Sequence, residues 1–186
     1  MLNDIKASKS RFYSATCFLC FIWGVSILGL VGLLPDVFPK LLPRHVSGIL
    51  GILTMPLLHG SLIHLMSNTL PFIIFSLLIS LRGNSYYIKV SVLILLITGA
   101  LLWLFGRSSF HIGASGLVFG YFGFLLVRMF YSPSISTIAI SLGVFIIYGG
   151  MIWGVLPQRS YVSWEGHLFG MIAGVIVAKA MGTKKN

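Results

Sequence analysis

The chain has 186 residues, of which 57% are hydrophobic and only 9% are charged, and its mean hydropathy is +0.99. An ordinary soluble domain has about 25% charged residues. A chain so poor in charge lacks the polar side chains to cover a water-exposed surface, which excludes a soluble globular domain. The apolar composition also excludes a disordered chain, and two cysteines are too few for a disulfide scaffold. A polytopic membrane protein remains.

The net charge of +10 comes from 13 Lys and Arg residues against 3 Asp and Glu residues. In a soluble protein this excess would indicate a nucleic-acid partner. Here the basic residues lie in tails and short loops between apolar runs, so we expect no nucleic-acid binding. The surplus is instead interpreted as a topology signal.

Apolar runs long enough to cross a bilayer recur along the chain, since a spanning helix needs about 20 such residues. They cover residues 15–34, 60–81, 90–106, 108–127, 134–156 and 160–178. Pro71 interrupts the second run, which a membrane helix tolerates as a kink. The last run is weaker because it contains Glu165. The pattern predicts an all-α bundle of six transmembrane helices.

The parts between these runs complete the predicted organisation. The membrane domain covers residues 15–178, between an N-terminal tail at 1–14 and a C-terminal tail at 179–186. Residues 35–59 form the one long loop, on the outer side, and its apolar part at 46–53 is expected in the membrane interface. The first run is longer than the core of a signal peptide and no A-x-A site follows it, so we expect it to be retained.

The distribution of basic residues predicts the orientation, because cytoplasmic loops are enriched in Lys and Arg. Six spans put both termini on one side, where the sequence has Lys6, Lys9, Arg11, Arg82, Lys89, Arg128, Lys179, Lys184 and Lys185. The other side has Lys40, Arg44, Arg107 and Arg159. Both termini are therefore expected in the cytoplasm.

Polar groups inside spans are costly, and each calls for a functional explanation. The second span begins with His59, His64 and Asn68, the fourth contains Ser115, and the sixth contains His167. These spans run in the same direction, and every one of these groups lies in the outer half of its span. At 1.5 Å per residue they reach a similar depth of roughly 6–15 Å. One polar site shared by three helices is the simplest interpretation.

Two glycine patterns predict close helix packing beside this site. On the fourth span the glycines are Gly113, Gly116, Gly120 and Gly123, and on the sixth they are Gly166, Gly170 and Gly174. Small residues at such spacings let helix backbones approach closely. If the two patterns face each other, Ser115 and His167 come within hydrogen-bond reach.

A serine hydroxyl beside a histidine is the pattern of nucleophilic catalysis, in which the imidazole accepts the hydroxyl proton. Candidate donors to the oxyanion are the Ser115 N–H group, His64 and Asn68. If Gly113 delays the regular helix, Ser115 lies in its first turn, where free N–H groups favour negative charge. Glu165 points off the face of His167, so a dyad is predicted rather than a triad.

At these positions the sequence resembles the rhomboid family of intramembrane serine proteases. Three motifs carry the resemblance, between about His59 and Gly174. The H-x-x-x-x-H-x-x-x-N pattern is His59, His64 and Asn68; the G-x-S-G pattern is Gly113 to Gly116; the H-x-x-G-x-x-x-G pattern is His167, Gly170 and Gly174. The three motifs occur in order and on the expected spans.

The resemblance implies a six-helix bundle of the basic bacterial form, placed in an inner membrane, with a water-filled cavity open to the outer face. It implies Ser115 as nucleophile, His167 as general base, His64 and Asn68 at the oxyanion hole, and His59 as a nearby hydrogen-bonding residue. The implied activity is that of a serine-type endopeptidase, without metal or small-molecule cofactor. Its substrates would be single-span or polytopic membrane proteins, cut in the bilayer near the outer face.

The sequence also departs from the family. Phe119 stands where the family often has a tyrosine that packs on the catalytic histidine, and the Trp-Arg pair common in the first outer loop is absent. The phenylalanine ring can still stack. His45 and His111 lie in or near outer loops and are expected to be solvated.

Two other functions remain open at this point. One is a catalytically silent rhomboid-like protein that binds transmembrane clients, against which Ser115 and His167 argue. The other is a proton- or ion-coupled carrier that uses His59, His64 and His167. Against the carrier, no acidic residue lies deep in a span and the chain shows no inverted halves. A metal site built from the three histidines would leave the serine and asparagine without a purpose.

The predicted orientation can be tested with reporter fusions at the C-terminus. Green fluorescent protein fused after Asn186 is expected to fluoresce, and alkaline phosphatase fused there is expected to be inactive, because both report a cytoplasmic end. Phosphatase fused in the 35–59 loop should be active. The opposite pattern would reverse the orientation.

Overall fold

The computed structural model describes residues 2–35, 38–157 and 163–182, and only the backbone of residues 2–10. The α-helices in this part of the chain are α1 Leu2–Leu30, α2 Gly51–Thr54, α3 Leu62–Ser80, α4 Asn84–Phe105, α5 Ser115–Tyr131, α6 Ile135–Tyr148 and α7 Trp164–Ala180. Short 3₁₀ helices cover Val46–Gly48, Met55–Leu57 and Gly149–Val155. Extended pairing in the described residues is limited to one isolated bridge between Leu41 and His111. The predicted all-α membrane bundle is confirmed.

The ends of the helices follow from local sequence. Ser61 caps α3 by accepting a hydrogen bond from the His64 N–H group at 3.1 Å. Ser134 and Thr137 form a capping box at the start of α6. Gly83, between α3 and α4, has a φ of 112°, which an L side chain rarely adopts. Pro71 lies inside α3 without ending it.

Several predicted boundaries differ from the structure. The helix α1 begins within the predicted tail at 1–14, and α6 gives way to a 3₁₀ helix at Gly149. The largest error is in the fourth run, because residues 108–114 are not helical. His111 N donates to Leu41 O at 2.9 Å and Gly113 N to Met55 O at 2.8 Å, which hold this stretch against the outer loop. We call residues 106–114 the connecting segment. An apolar extended stretch and a helical one have the same hydropathy.

Parts of the topology prediction fall on residues outside the described ones, namely Asp36, Arg159, residues 160–162, Lys184 and Lys185. Four helical stretches are long and apolar enough to cross a membrane: Arg11–Leu30, Leu62–Ser80, Asn84–Phe105 and Ile135–Val155. The helices α5 and α7 have 17 residues each. At 1.5 Å per residue that is about 26 Å, slightly less than the ~30 Å hydrocarbon core. The count of six spans stays a prediction.

The outward faces of the bundle are apolar. Ile63 on α3 is 81% exposed and Ile146 on α6 is 79% exposed. A soluble monomer rarely leaves such side chains together in water. Contact with lipid hydrocarbon carries no such cost for these side chains. The protein is an integral, multi-pass membrane protein.

The helix α5 lies at the centre of the bundle and contacts α3, α4, α6 and α7. Its contact with α7 is the most extensive in the molecule. The two glycine patterns meet there: a Cβ on Gly170 would overlap the carbonyl oxygen of Gly116, and a Cβ on Gly174 would overlap that of Gly120. The predicted packing of the two patterns is therefore confirmed.

Arg128 holds the inner end of this helix pair. Its Nη1 donates to the Met181 carbonyl oxygen at 3.0 Å, just after α7. Its guanidinium lies 5.6 Å from the centre of the Tyr86 ring and 5.4 Å from that of Phe124. A cation over aromatic faces is stabilised without a carboxylate. The register of α5 against α7 is thus fixed at the inner end.

Replacing Gly174 with alanine is expected to destabilise the protein by about 2 kcal/mol, because the added methyl group forces the two backbones apart. Thermal unfolding in detergent measures this as a lower Tm. Gly143→Ala on α6 is the matched control, since a Cβ there meets nothing within 4 Å, and it should leave the Tm unchanged or slightly raised. An equal loss in both variants would contradict the backbone-contact account.

Candidate active site

The N-terminal parts of α3, α5 and α7 surround an open cavity of about 850 Å³. Ser115, His167, His64 and Asn68 all line it, as does Phe119. Residues predicted from three separate motifs therefore come together in one place. The predicted hydrogen bond between Ser115 and His167 is not among the bonds of the described residues, where the side chain of His167 bonds to Gly154 O. His59 lies behind the wall, 6% exposed.

Ser115 is the first residue of α5. Gly113, two residues earlier, has a φ of 115°. The chain therefore enters the helix through a backbone conformation that only glycine adopts readily. The first hydrogen bond of the helix runs from Val118 N to Ala114 O. The N–H groups of Ser115 and Gly116 precede this bond and are not used by the helix. They give the start of α5 a positive end for a developing negative charge.

The ring of His167 is fixed in two ways. Its Nδ1 lies 2.9 Å from the carbonyl oxygen of Gly154, in the 3₁₀ helix after α6. A carbonyl oxygen only accepts, so Nδ1 carries the proton and Nε2 keeps its lone pair. The ring stacks on Phe119 at 4.1 Å between centroids and 4° between planes. The stacking expected of this phenylalanine is confirmed, and the tautomer is the one that a base needs.

His59 joins three parts of the structure from behind the cavity. Its Nε2 accepts from Ala114 N at 3.2 Å and faces the Asn68 Nδ2 atom at 3.2 Å. Its Nδ1 must then carry the proton, which it donates to Ser26 Oγ at 2.8 Å. Ser26 in turn donates to Leu57 O at 2.8 Å. The chain of bonds ties α1, the outer loop, α3 and the entry to α5 into one unit.

This arrangement also decides which donors remain for a substrate. The N–H group of Ala114 is occupied by His59. Asn68 uses one of its two amide N–H groups on the same ring. His64 stacks edge-on against His59 at 4.9 Å. The donors left facing the cavity are the other Asn68 N–H group, His64 and the first N–H groups of α5.

Gly113 brings His64 and Ser115 to the same small space. A Cβ on Gly113 would lie 2.9 Å from His64 Nε2 and 3.8 Å from Ser115 Oγ. Any side chain at this position would therefore collide with the imidazole as well as strain the backbone. The glycine is needed for both its conformation and its lack of a side chain.

His111 corrects the sequence-based prediction. It was expected to be solvated, but it is only 2% exposed. Its Nε2 lies 3.1 Å from Arg107 O and its Nδ1 lies 2.7 Å from Ser163 Oγ. His45 is exposed as expected. Sequence reasoning also missed Ser26 and the Gly154 carbonyl, because neither has a distinguishing pattern.

Residues 47–184 match the Rhomboid domain family. The chain belongs to the rhomboid family. It is 39% identical over 145 residues to an uncharacterized protein of Mycobacterium tuberculosis, which covers 73% of this chain and 60% of the relative. An uncharacterized protein of Mycobacterium leprae is 41% identical over 138 residues, which covers 69% and 54%.

A more distant relative, from Acanthamoeba polyphaga mimivirus, is itself described as a rhomboid protein. It is 26% identical over 137 residues, which covers 70% of this chain and 74% of the relative. The chain thus spans a little over half the length of the mycobacterial relatives. The rhomboid match includes every site residue predicted from the sequence, from His59 to Gly174, whereas Ser26 lies before the matched range.

The hydrogen-bond chain behind the cavity makes a prediction for Ser26. Ser26→Ala leaves the His59 Nδ1–H group buried without an acceptor, which should cost about 1–3 kcal/mol of stability. Thermal unfolding in detergent checks it. Thr16→Ala on the same helix is the control, since Thr16 is exposed and bonds only to Phe12 O of its own helix. A Ser26→Ala protein as stable as that control would contradict the assigned chain.

Proposed function

We propose that this rhomboid protein is an intramembrane serine endopeptidase with Ser115 as nucleophile and His167 as general base. The observation that carries the proposal is the state of His167. Its Nδ1 proton is held by Gly154 O at 2.9 Å, its face is covered by Phe119, and its lone pair is on Nε2. Both His167 and Ser115 line the same cavity.

In the proposed reaction the Ser115 Oγ–H proton passes to His167 Nε2 while Oγ attacks the carbonyl carbon of the substrate peptide bond. The tetrahedral oxyanion accepts hydrogen bonds from the first N–H groups of α5, from His64 and from Asn68. His167 returns the proton to the leaving amine as the C–N bond breaks. Water then hydrolyses the acyl-enzyme, with His167 again as the base.

The proposed substrates are transmembrane segments of other proteins, cut near the outer face. The support is the position of the cavity, at the outer ends of α3, α5 and α7 in the predicted orientation. Ser115 is 7% exposed, so a peptide bond must leave a helix and enter the cavity to reach it. We propose a bacterial inner membrane with both termini in the cytoplasm, which the excess of basic residues on the predicted cytoplasmic side supports.

Purified protein in liposomes with a transmembrane reporter substrate tests the reaction. Cleavage should fall at least about 10³-fold in Ser115→Ala and in His167→Ala. Ser67→Ala is a matched control, because Ser67 lines the same cavity but donates to His64 O of its own helix. It should cleave at nearly the parental rate.

Two further results decide between the alternatives. EDTA should leave the rate unchanged, and a fluorophosphonate should label the parent protein but not Ser115→Ala. Cleavage that survives Ser115→Ala, or that EDTA abolishes, would overturn the serine mechanism. A parent protein that binds the reporter but neither cuts it nor reacts with the fluorophosphonate would be a silent client-binding protein.

A further inference from the structure

A second group of polar residues lies at the outer rim, beside the proposed dyad but outside its chemistry. It consists of Arg107 and His111 on the connecting segment, and Ser163 and Glu165 at the start of α7. Arg107, His111 and Ser163 line the cavity wall. The connecting segment leads directly into Ser115, and Glu165 precedes His167 by two residues.

The first tie in this group is an ion pair. Arg107 Nε lies 3.4 Å from Glu165 Oε1, and the carboxylate side chain is 7% exposed while the arginine is 33% exposed. Exposed pairs contribute little, but a carboxylate this deeply buried is costly without a cation. Glu165 is the one acidic group among the described side chains, and it is buried beside the candidate site.

The second tie is a hydrogen bond whose direction can be assigned. Arg107 O only accepts, so His111 Nε2 carries the proton that it receives at 3.1 Å. Burial lowers the pKa of His111, which keeps the ring neutral and leaves Nδ1 as an acceptor. Ser163 Oγ therefore donates to Nδ1 at 2.7 Å. The side chain of His111 is satisfied on both nitrogens.

A third contact connects this group of residues to the proposed base, His167. Ser163 O accepts from the His167 N–H group at 3.3 Å in the first turn of α7. On the other side, His111 N and Gly113 N are bonded to Leu41 O and Met55 O. The segment before Ser115 and the turn before His167 are thus joined beside the cavity, next to the first glycine contact of α5 with α7, where a Cβ on Gly116 would lie 3.4 Å from Gly166 O.

We propose that the Arg107–Glu165 ion pair and the His111–Ser163 hydrogen bond form a clasp that positions His167 relative to Ser115. The proposal rests on the proposed function. These four residues are positioning residues and touch no reacting atom. A nucleophile and base displaced by about 1 Å can lose about 10²-fold in rate without any loss of substrate binding. The Gly154 carbonyl orients the imidazole ring, and the clasp holds the start of α7 in place relative to the start of α5.

The test compares cleavage kinetics in liposomes for Arg107→Gln, Glu165→Gln and the double variant. Each single variant is expected to lower kcat by about 10- to 100-fold with KM little changed, and the double variant should be no slower than the slower single variant. The conservative variant Arg107→Lys should recover part of the loss, because it keeps the charge. Ser163→Ala should also lower kcat, because it removes the hydroxyl that donates to His111 Nδ1.

Lys40→Gln is the matched control for the loss of a rim cation. Lys40 is exposed and lies over the Phe110 ring at 5.8 Å, with no carboxylate partner among the described residues. It should cleave at the parental rate. The acid limb of the pH–rate profile separates positioning from electrostatics: the clasp predicts a lower plateau with the limb unmoved in the double variant Arg107→Gln, Glu165→Gln, because both charges of the pair are removed together.

Several results would overturn the clasp while leaving the protease proposal intact. They are parental kcat in both single variants, additive losses in the double variant, a loss that appears in KM alone, or a moved acid limb with an unchanged plateau. A loss of kcat that parallels the loss of thermal stability, measured as Tm, across the variants would also overturn the clasp. A parent protein that does not cleave at all would overturn the protease proposal, and the clasp with it.

Discussion

The direct backbone contact between α5 and α7 is the constraint on which the rest of the structure depends. Each helix carries one member of the proposed dyad near its N-terminal end. The side chains of Ser115 and His167 are too short to compensate for a shift of one helix against the other. The carbonyl oxygens of Gly116 and Gly120 occupy the positions that side chains on Gly170 and Gly174 would fill. In a bilayer, where apolar burial gives helices no reason to associate, such packing supplies much of the association energy. Stability and catalytic geometry therefore share one interface.

The polar groups around that interface are arranged so that each protonation state is decided locally. A backbone N–H group fixes the acceptor atom of His59, and backbone carbonyls fix the donor atoms of His111 and His167. Backbone groups cannot change their donor or acceptor character, so the tautomers do not depend on any titrating neighbour. Low dielectric makes each of these bonds stronger and each broken one more costly. Backbone groups therefore hold the rings of His59, His111 and His167 in defined orientations.

The sequence predicted the helical membrane bundle and the packing of the two glycine patterns, because each follows from spacing within one helix. It offered the start of α5 at the G-x-S-G motif only on the condition that Gly113 delays the helix. It failed where an apolar stretch is held extended by distant partners, as at residues 108–114. It also failed for His111, since a lone histidine in a short stretch between apolar runs gives no sign of burial. The Arg107–Glu165 pair joins residues far apart in the chain. The Gly154 carbonyl has no sequence signal at all, because every residue has one.

The scarcity of carboxylates explains how the proposed base is held. A carbonyl oxygen orients His167 but carries no charge to balance the imidazolium that forms when Ser115 gives up its proton, and in a low dielectric that charge is costly. The Phe119 ring, stacked at 4.1 Å, presents its negative face to the imidazolium and offsets part of this cost. The nearby carboxylate of Glu165 is paired with Arg107 and so contributes little net field. A tyrosine at position 119 would add a hydroxyl at the ring edge and leave this face-to-face contact unchanged, which is why phenylalanine is compatible with the proposed dyad.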